Sequence, residues 1–319
     1  MNGLIAELEE ERVRLSQNKD LIWHYTSADI GAQMLDRKTG LYATDYNFLN
    51  DSGEVNYGIT RIKTFLDEME KKPKDFLEAI NYPDIDNMRT FPDPEIIERC
   101  REAVNTSKWA THPYILCFSH NPDSLYQWRS YTPNGGLCFG ISLQELRSKI
   151  SPDYIYLDNI SFSRLHHQHQ YGGKMADFTE YLIMGKCLYT DLQQRKMLFE
   201  IVTSDKFKTK EGLEDISDDF FIQILSCMFL FKHFSFTEED EERIILWGPA
   251  SFKRVEIIGN KPRIPISYYD KNNLNNCIKG VFISPHGNKK QIRIIVQTLL
   301  DKYELDNCPV IDSLSTYIG

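Results

Sequence analysis

The chain has 319 residues, 41% apolar and 12% aromatic, enough to bury a large core and too apolar for a disordered chain. Its formal net charge of −9 at pH 7 argues against tight non-specific binding to nucleic acid, which needs cations to displace the counterions of phosphate. A local basic groove remains compatible with that charge. The seven cysteines (Cys100, Cys117, Cys138, Cys187, Cys227, Cys277 and Cys308) are odd in number and widely spaced, with no C-x-x-C pair. That pattern suits reduced thiols and a cytoplasmic location. No apolar run approaches the ~20 residues that span a bilayer, and the start, MNGLIAELEEERVRL, is a charged helix rather than a secretory signal.

In chain order, residues 1–20 read as an amphipathic helix with Leu4, Leu8, Val13 and Leu15 among many charges. LIWHY (21–25) is a short strand, Thr26 or Ser27 caps a helix carrying Ile30, Met34 and Leu35, and a second strand follows Gly40. Residues 21–54 thus make a first strand–helix–strand unit. A helical insertion over 55–108 follows, broken around NYPDIDNM and FPDPE, and 109–319 holds the rest of a single domain. There, YILCFS (114–119) reads as a buried strand, SLYQWRSYT (124–132) as one or two helical turns, and LCFGIS (137–142) as a strand after the PNGG turn. Helices are expected over 143–150 and 174–200, with a His-rich loop between them, and over 218–234 as an apolar core helix. Strands are expected at 241–247, 254–259, 263–269 and 278–285, then a helix at 288–305 and a last strand at 308–313. Clustered strands with helices segregated around them predict α+β rather than a βαβ repeat.

Four groups could carry chemistry. In FTEEDEERIIL (236–246), a strand beginning near Glu239 puts Glu239, Glu241 and Arg243 on one face and Glu242, Ile244 and Leu246 on the other. One carboxylate could then stabilise positive charge or act as a base, with the arginine holding its partner ionised; a solvated acidic turn is the alternative. In FSHNPDSLYQWRSY (118–131), Ser124, Trp128 and Tyr131 share a helical face, either as a stacking platform or as core, while Arg129 points elsewhere. His24 and Tyr25 end the first strand, where a histidine is either a ligand or a satisfied structural residue. His166, His167 and His169 lack H-E-x-x-H spacing and paired cysteines, so a polar surface loop is expected there and no metal site. The chain contains no P-loop, no G-x-G-x-x-G after a strand and no G-x-S-x-G elbow.

Taken in order, His24-Tyr25-Thr26, Asn50-Asp51, Phe118-Ser119, Gln127-Trp128 with Tyr131, and Phe236 with Glu239, Glu241 and Arg243 resemble a widespread bacterial family built on a domain of unknown function. The layout of residues 21–45 and the late Glu-x-Glu are more distantly similar to ADP-ribosyltransferases. That second resemblance implies a split mixed or antiparallel sheet with helical insertions, and NAD as substrate. It implies that His24 holds the ribose beside Tyr25 and Thr26, that Tyr42 or Tyr46 stacks on nicotinamide, and that Glu241 is the catalytic acidic residue. Glu239 would orient the acceptor, Arg243 or Arg129 would meet the pyrophosphate, and Ser119, Trp128 and Tyr131 would complete the NAD site.

The expected activity is cleavage of the nicotinamide–ribose bond, as an ADP-ribosyltransferase or NAD glycohydrolase. A toxin or phage-defence effector would fit this chemistry, with a protein, nucleic acid or water as acceptor and a regulatory protein as a further partner. The alternatives are a metal-dependent nucleic-acid enzyme that stacks a base on Trp128 and Tyr131, and a non-catalytic sensor or partner-binding domain.

Overall fold

Along the central strands, neighbouring side chains enter opposite cores, so the sheet is covered on both faces. A computed structural model describes residues 2–36, 41–49, 53–83, 93–110, 113–150, 155–157, 160–171, 174–204, 218–247, 255–266, 277–305 and 307–315. The helices are α1 (Asn2–Gln17), α2 (Ala28–Leu35), α3 (Glu54–Lys71), α4 (Pro73–Ala79), α5 (Pro94–Ala110), α6 (Leu125–Tyr131), α7 (Leu143–Ile150), α8 (Asp191–Thr203), α9 (Asp218–Leu230) and α10 (Lys289–Lys302). The strands are β1 (Leu21–Ser27), β2 (Tyr42–Asp45), β3 (Tyr114–Ser119), β4 (Gly136–Ser142), β5 (Ile155–Leu157), β6 (Ile160–Tyr171), β7 (Lys174–Lys186), β8 (Glu241–Trp247), β9 (Glu256–Ile258), β10 (Lys261–Pro265), β11 (Ile278–Ile283) and β12 (Val310–Asp312).

The chain is therefore α+β, with one mixed sheet in the order β12-β11-β4-β1-β3-β8-β7-β6-β5 and a side ribbon in which β2 joins β3, β10 joins β2 and β9 joins β10. Only β11 and β12 pair in parallel among these strands; the other ladders are antiparallel.

Ile244 and Leu246 of β8 enter a core closed by α2, α7 and α10, through Met34, Leu146 and Val296. Ile245 and Trp247 enter the opposite core, built by α3, α4, α5, α8 and α9. The helical insertion is thus one side of the main core: Ile62, Phe65 and Leu66 of α3, Phe76 of α4 and Ile97 of α5 are all buried in it. A smaller cluster joins Leu15 of α1 and Trp23 and Tyr25 of β1 to Trp128 of α6 and Phe282 of β11. All seven cysteines are free. No helix among the described residues is long and apolar enough to cross a membrane.

Two expectations need correction. Residues 174–200 are not one helix, because β7 runs to Lys186 before α8 begins. The run holds both helix and strand formers, and pairing decides between them: β7 lies between β6 (Tyr171↔Lys174 to Ile160↔Gly185) and β8 (Tyr181↔Trp247 to Lys186↔Glu242). His166, His167 and His169 are not in a loop; they lie on β6, opposite Thr179, Phe178 and Ala176 in backbone register. Their side chains, and the Asn50-Asp51 turn, lie outside the described residues.

The central feature is a parting of the sheet along one edge of β3. β8 follows β3 from Tyr114 to Ser119, but the other edge is shared: β2 pairs at Tyr114 and Ile115, and β1 pairs only at Ser119. Across Leu116, Cys117 and Phe118, β1 and β2 diverge, and a hollow opens between them.

The close fit of α3 on α9 positions one wall of this region. A Cβ added at Gly58 would lie 2.3 Å from the Met228 carbonyl oxygen, far inside contact distance, so only glycine permits this approach. Gly58→Ala should lower stability by about 1–3 kcal/mol through overpacking, read as a lower urea midpoint at unchanged slope.

Candidate active site

The parting of β1 and β2 encloses a cavity of about 330 Å³, within the size range of small-molecule sites. Its walls include His24 and Thr26 of β1, Tyr42 and Thr44 of β2, Lys261 and Arg263 of β10, and Glu241 of β8. A second hollow of about 380 Å³ shares Leu49, Cys117, Ser130 and Tyr131 with the first and is lined by Glu54, Glu239 and Arg243.

Between the two hollows lies a buried ionic centre. Lys232 Nζ sits 2.8 Å from Glu54 Oε1 and 2.7 Å from Glu241 Oε2, and also pairs with Glu239 Oε2. Arg243 Nη2 lies 2.9 Å from Glu241 Oε2 and pairs with Glu54, while its Nη1 donates to the Phe229 carbonyl at 2.7 Å. Lys232 is 1% exposed and Arg243 and Glu241 are each 2% exposed, so these charges answer to one another rather than to water.

Local structure explains how four distant segments deliver them. Glu54 opens α3. Glu241 and Arg243 share the β8 face that carries Ile245 and Trp247, as alternation requires. Lys232 follows the end of α9, where Leu188 N donates to the Leu230 carbonyl (2.8 Å) and Lys232 N to the Leu188 carbonyl (3.0 Å). The buried Gln194 amide donates to both the Leu188 and Lys232 carbonyls, at 2.7 and 2.9 Å, which holds that corner.

β8 starts at Glu241 rather than near Glu239, which belongs to a 3-10 turn over Phe234–Glu239. Asp240 joins the two in the left-handed region at φ 39°, an unusual conformation for a side-chain-bearing residue, and this turns Glu239 back toward Lys232. Ser119 Oγ and Gln127 Nε2 donate to the Glu239 carbonyl at 2.7 and 3.2 Å. Glu242 faces the other way and meets His120 Nε2 at 3.1 Å and Arg147 Nη2 at 3.3 Å, so the acidic residue on the cavity side is Glu241.

The two carboxylates have opposed proton affinities. Burial and the neighbouring Glu241 charge, countered by Lys232, push Glu239 up to about 7. Burial acts against the Glu241 charge as well, but Arg243 and Lys232 outweigh it and hold this carboxyl well below the usual range. Glu241 Oε2 receives both cations, whereas Oε1 is buried with no hydrogen-bond partner. One acid titrates near neutrality and its neighbour stays ionised, the division of labour that acid–base sites use.

The first-strand residues divide by face. His24 Nδ1 donates to the Cys117 carbonyl at 3.0 Å, in the stretch of β3 that β1 and β2 leave open, so Nε2 is the acceptor of the neutral ring. Burial lowers His24 to about 4, against the Cys117 hydrogen bond and with help from Arg263, so the ring is neutral at pH 7. Tyr25 turns to the other side of β1. Its hydroxyl donates to the Asn121 carbonyl (2.7 Å) and accepts from Ser124 N (2.9 Å), and its ring meets Trp128 edge-on at 4.7 Å.

Several expected contacts are not brought to the cavity as free groups. Trp128 is fully buried in the α1–α6 cluster, its indole N–H donating to Asp123 at 2.7 Å, so it offers no stacking face. Ser119 Oγ is spent on the Glu239 carbonyl and on accepting from Asn121 N. Tyr46 packs against Phe229 at 6.2 Å in the helical core, leaving Tyr42 as the tyrosine of that pair in the wall. Arg129 is exposed and lines neither hollow, and Arg243 commits Nη2 to Glu54 and Glu241 and Nη1 to the Phe229 carbonyl. Tyr131 does reach both hollows.

Asp123 fastens this loop to α1 and to residues 313–315. It accepts from Leu314 N at 2.8 Å and from the Ser313 and Ser315 hydroxyls, and Arg12 Nη1 lies 3.5 Å from its carboxylate. Among the described residues no three His, Cys, Asp or Glu side chains are placed to hold a metal ion. Glu54, Lys232, Lys261 and Arg263 escaped the sequence reading. For the last two the signal is KPRIP, where alternation puts both cations on one strand face.

Fold and site together define an α+β protein with a sheet-parting cavity backed by a buried acid–base centre. A family model described as a protein of unknown function (DUF2971) matches residues 127–244, from Gln127 in α6 to Ile244 in β8. Over that stretch the expected likeness to a domain of unknown function is borne out; His24-Tyr25-Thr26, Asn50-Asp51 and Phe118-Ser119 lie outside it. No curated protein and no solved structure matches the chain.

Lys232→Met should destabilise the fold by about 3–5 kcal/mol at pH 7.5, since it strands buried carboxylates, and by less at pH 5.5, where protonation relieves them. The raised Glu239 works in the opposite sense to an ordinary ion pair. The native state keeps a proton that the unfolded chain has lost, so its contribution is complete below about pH 4.5 and disappears as pH rises through about 7. Urea titrations from pH 5 to 8 should show that loss in the wild type and a flatter profile in Glu239→Gln.

Proposed function

We propose that the protein cleaves the nicotinamide–ribose bond of NAD, as an ADP-ribosyltransferase or NAD glycohydrolase. The observation that supports this most is that His24 and Glu241, from opposite ends of the chain, line one hollow, with Glu241 Oε1 buried and unpartnered. Two cations at Lys261 and Arg263 line the same hollow, which suits a substrate with a diphosphate in its middle and a glycosidic bond at one end.

Breaking that bond sends its electron pair to nicotinamide, which leaves neutral, and builds oxocarbenium-like charge on the ribose. Glu241, kept ionised by Arg243 and Lys232, faces that charge, and Oε1 is free to accept a ribose hydroxyl. A fixed carboxylate needs no reorganisation as the charge develops, which is the main source of rate in such centres. Glu239 takes the proton of the incoming hydroxyl, from water or an acceptor, as the new C–O bond forms. Neutral His24 offers Nε2 to a sugar hydroxyl. A nuclease using these acids to hold Mg²⁺ fits less well, because Lys232 and Arg243 already compensate Glu54, Glu239 and Glu241.

Incubation with NAD should release nicotinamide. Glu241→Gln should slow release roughly 100- to 1,000-fold while circular dichroism shows a folded protein; an unchanged rate removes Glu241 from the mechanism, and no release by the wild type defeats the reading. The rate should rise with pH through about 7 as Glu239 loses its proton, and Glu239→Gln should lose that limb.

A further inference from the structure

We propose that Arg263 and Lys261 form a phosphate-binding subsite in the sheet cavity, which takes the diphosphate of a nucleoside diphosphate while Phe48 meets the base. Both cations lie on one face of β10, two residues apart, and Arg263 stands opposite Thr44 of β2. That face forms one wall of the hollow, across the parting from His24.

The charge there is only partly compensated: burial disfavours the charged form of Arg263 more than Tyr42 and Asp29 favour it. Arg263 makes no hydrogen bond or ion pair among the described residues, and its Nε is buried without a partner. Lys261 donates only to the Phe48 carbonyl, at 2.9 Å, and this contact brings the Phe48 rim to the cations. Burial lowers the proton affinity of both, and for Lys261 the neighbouring Arg263 adds to that effect. Arg243 and Lys232 differ in having carboxylates in direct contact, three between them, although Arg243 Nε is also buried without a partner. In a chain of net charge −9, two half-buried positive groups with no carboxylate in ion-pair contact, and only Asp29 acting on Arg263 from farther away, are a cost that a bound dianion would lower.

Thr44, on the facing strand, adds a hydroxyl to the same wall, which suits an oxygenated ligand. Phe48 is 41% exposed although it lines the cavity, so its ring is open to a planar apolar partner. Together the groups select a nucleotide over inorganic phosphate. The subsite deepens the NAD reading by naming the residues that hold its diphosphate, yet it rests on no bond being cleaved.

Calorimetric titration of the full chain with ADP and with pyrophosphate tests it. Wild type should bind ADP, with affinity falling as salt rises. Arg263→Met and Lys261→Met should each weaken ADP about 10-fold or more, and Phe48→Ala should weaken ADP while leaving pyrophosphate unchanged. No ADP binding by the wild type, or wild-type affinity in the folded Lys261→Met and Arg263→Met variants, overturns the subsite. Undiminished ADP affinity in Phe48→Ala overturns the assignment of the base. If Arg263→Met does not fold, Lys261→Met and the salt dependence decide the outcome. ADP binding without nicotinamide release from NAD upholds the subsite and defeats only the glycosyl-transfer reading.

Discussion

The geometry of the cleft depends on the attraction between Lys232 and Arg243 and the carboxylates of Glu54, Glu239 and Glu241. Each of these groups alone would be too costly to bury; together two cations balance Glu54 and Glu241, and the third acid, Glu239, is left with its proton affinity raised to about 7. Because they arrive from α3, the end of α9, the turn before β8 and β8 itself, the ion cluster also joins the helical cap to the sheet. The same attraction that stabilises the centre keeps Glu241 ionised and leaves one of its oxygens unused. Packing and chemistry here have a common cause.

The second constraint is the edge of β3. An unbroken ladder of β1 or β2 along that edge would close the sheet, and the two strands divide it instead. The exposed backbone needs satisfaction, and His24 supplies it at the Cys117 carbonyl. The first strand runs on to Ser27 rather than ending at Tyr25, so this contact places the histidine in mid-strand, beside the parting. The adjacent Tyr25 also borders the cavity but commits its hydroxyl to the 119–124 loop through two hydrogen bonds.

Short-range pattern made much of this legible. The alternation of Glu241, Arg243 and Ile245 against Glu242, Ile244 and Leu246 could be read directly, because a strand with both faces buried must sort its residues by parity. β7 could not, since its identity comes from neighbours at distant positions in the chain, which local propensity does not encode. Glu54 and Lys232 were hidden for a similar reason: a lone charge beside a helix end looks solvent-exposed until the fold closes over it. Trp128 and Tyr131 share a helix, yet only the second reaches the hollows; helical spacing fixes a common side but not how deep each ring lies. The likeness to a domain of unknown function rested on ordered short blocks and holds over residues 127–244, which contain the Gln127-Trp128-Tyr131 and Phe236–Arg243 blocks but not the earlier three.

Asp123 gives the molecule one further property. A single carboxylate gathers the indole of Trp128, the backbone and hydroxyls of residues 313–315, and the guanidinium of Arg12. Its neighbours in the same loop bond to Tyr25, one residue from His24. Segments about 300 residues apart in the chain, at Arg12 and at 313–315, are thereby clasped beside the strand that carries His24.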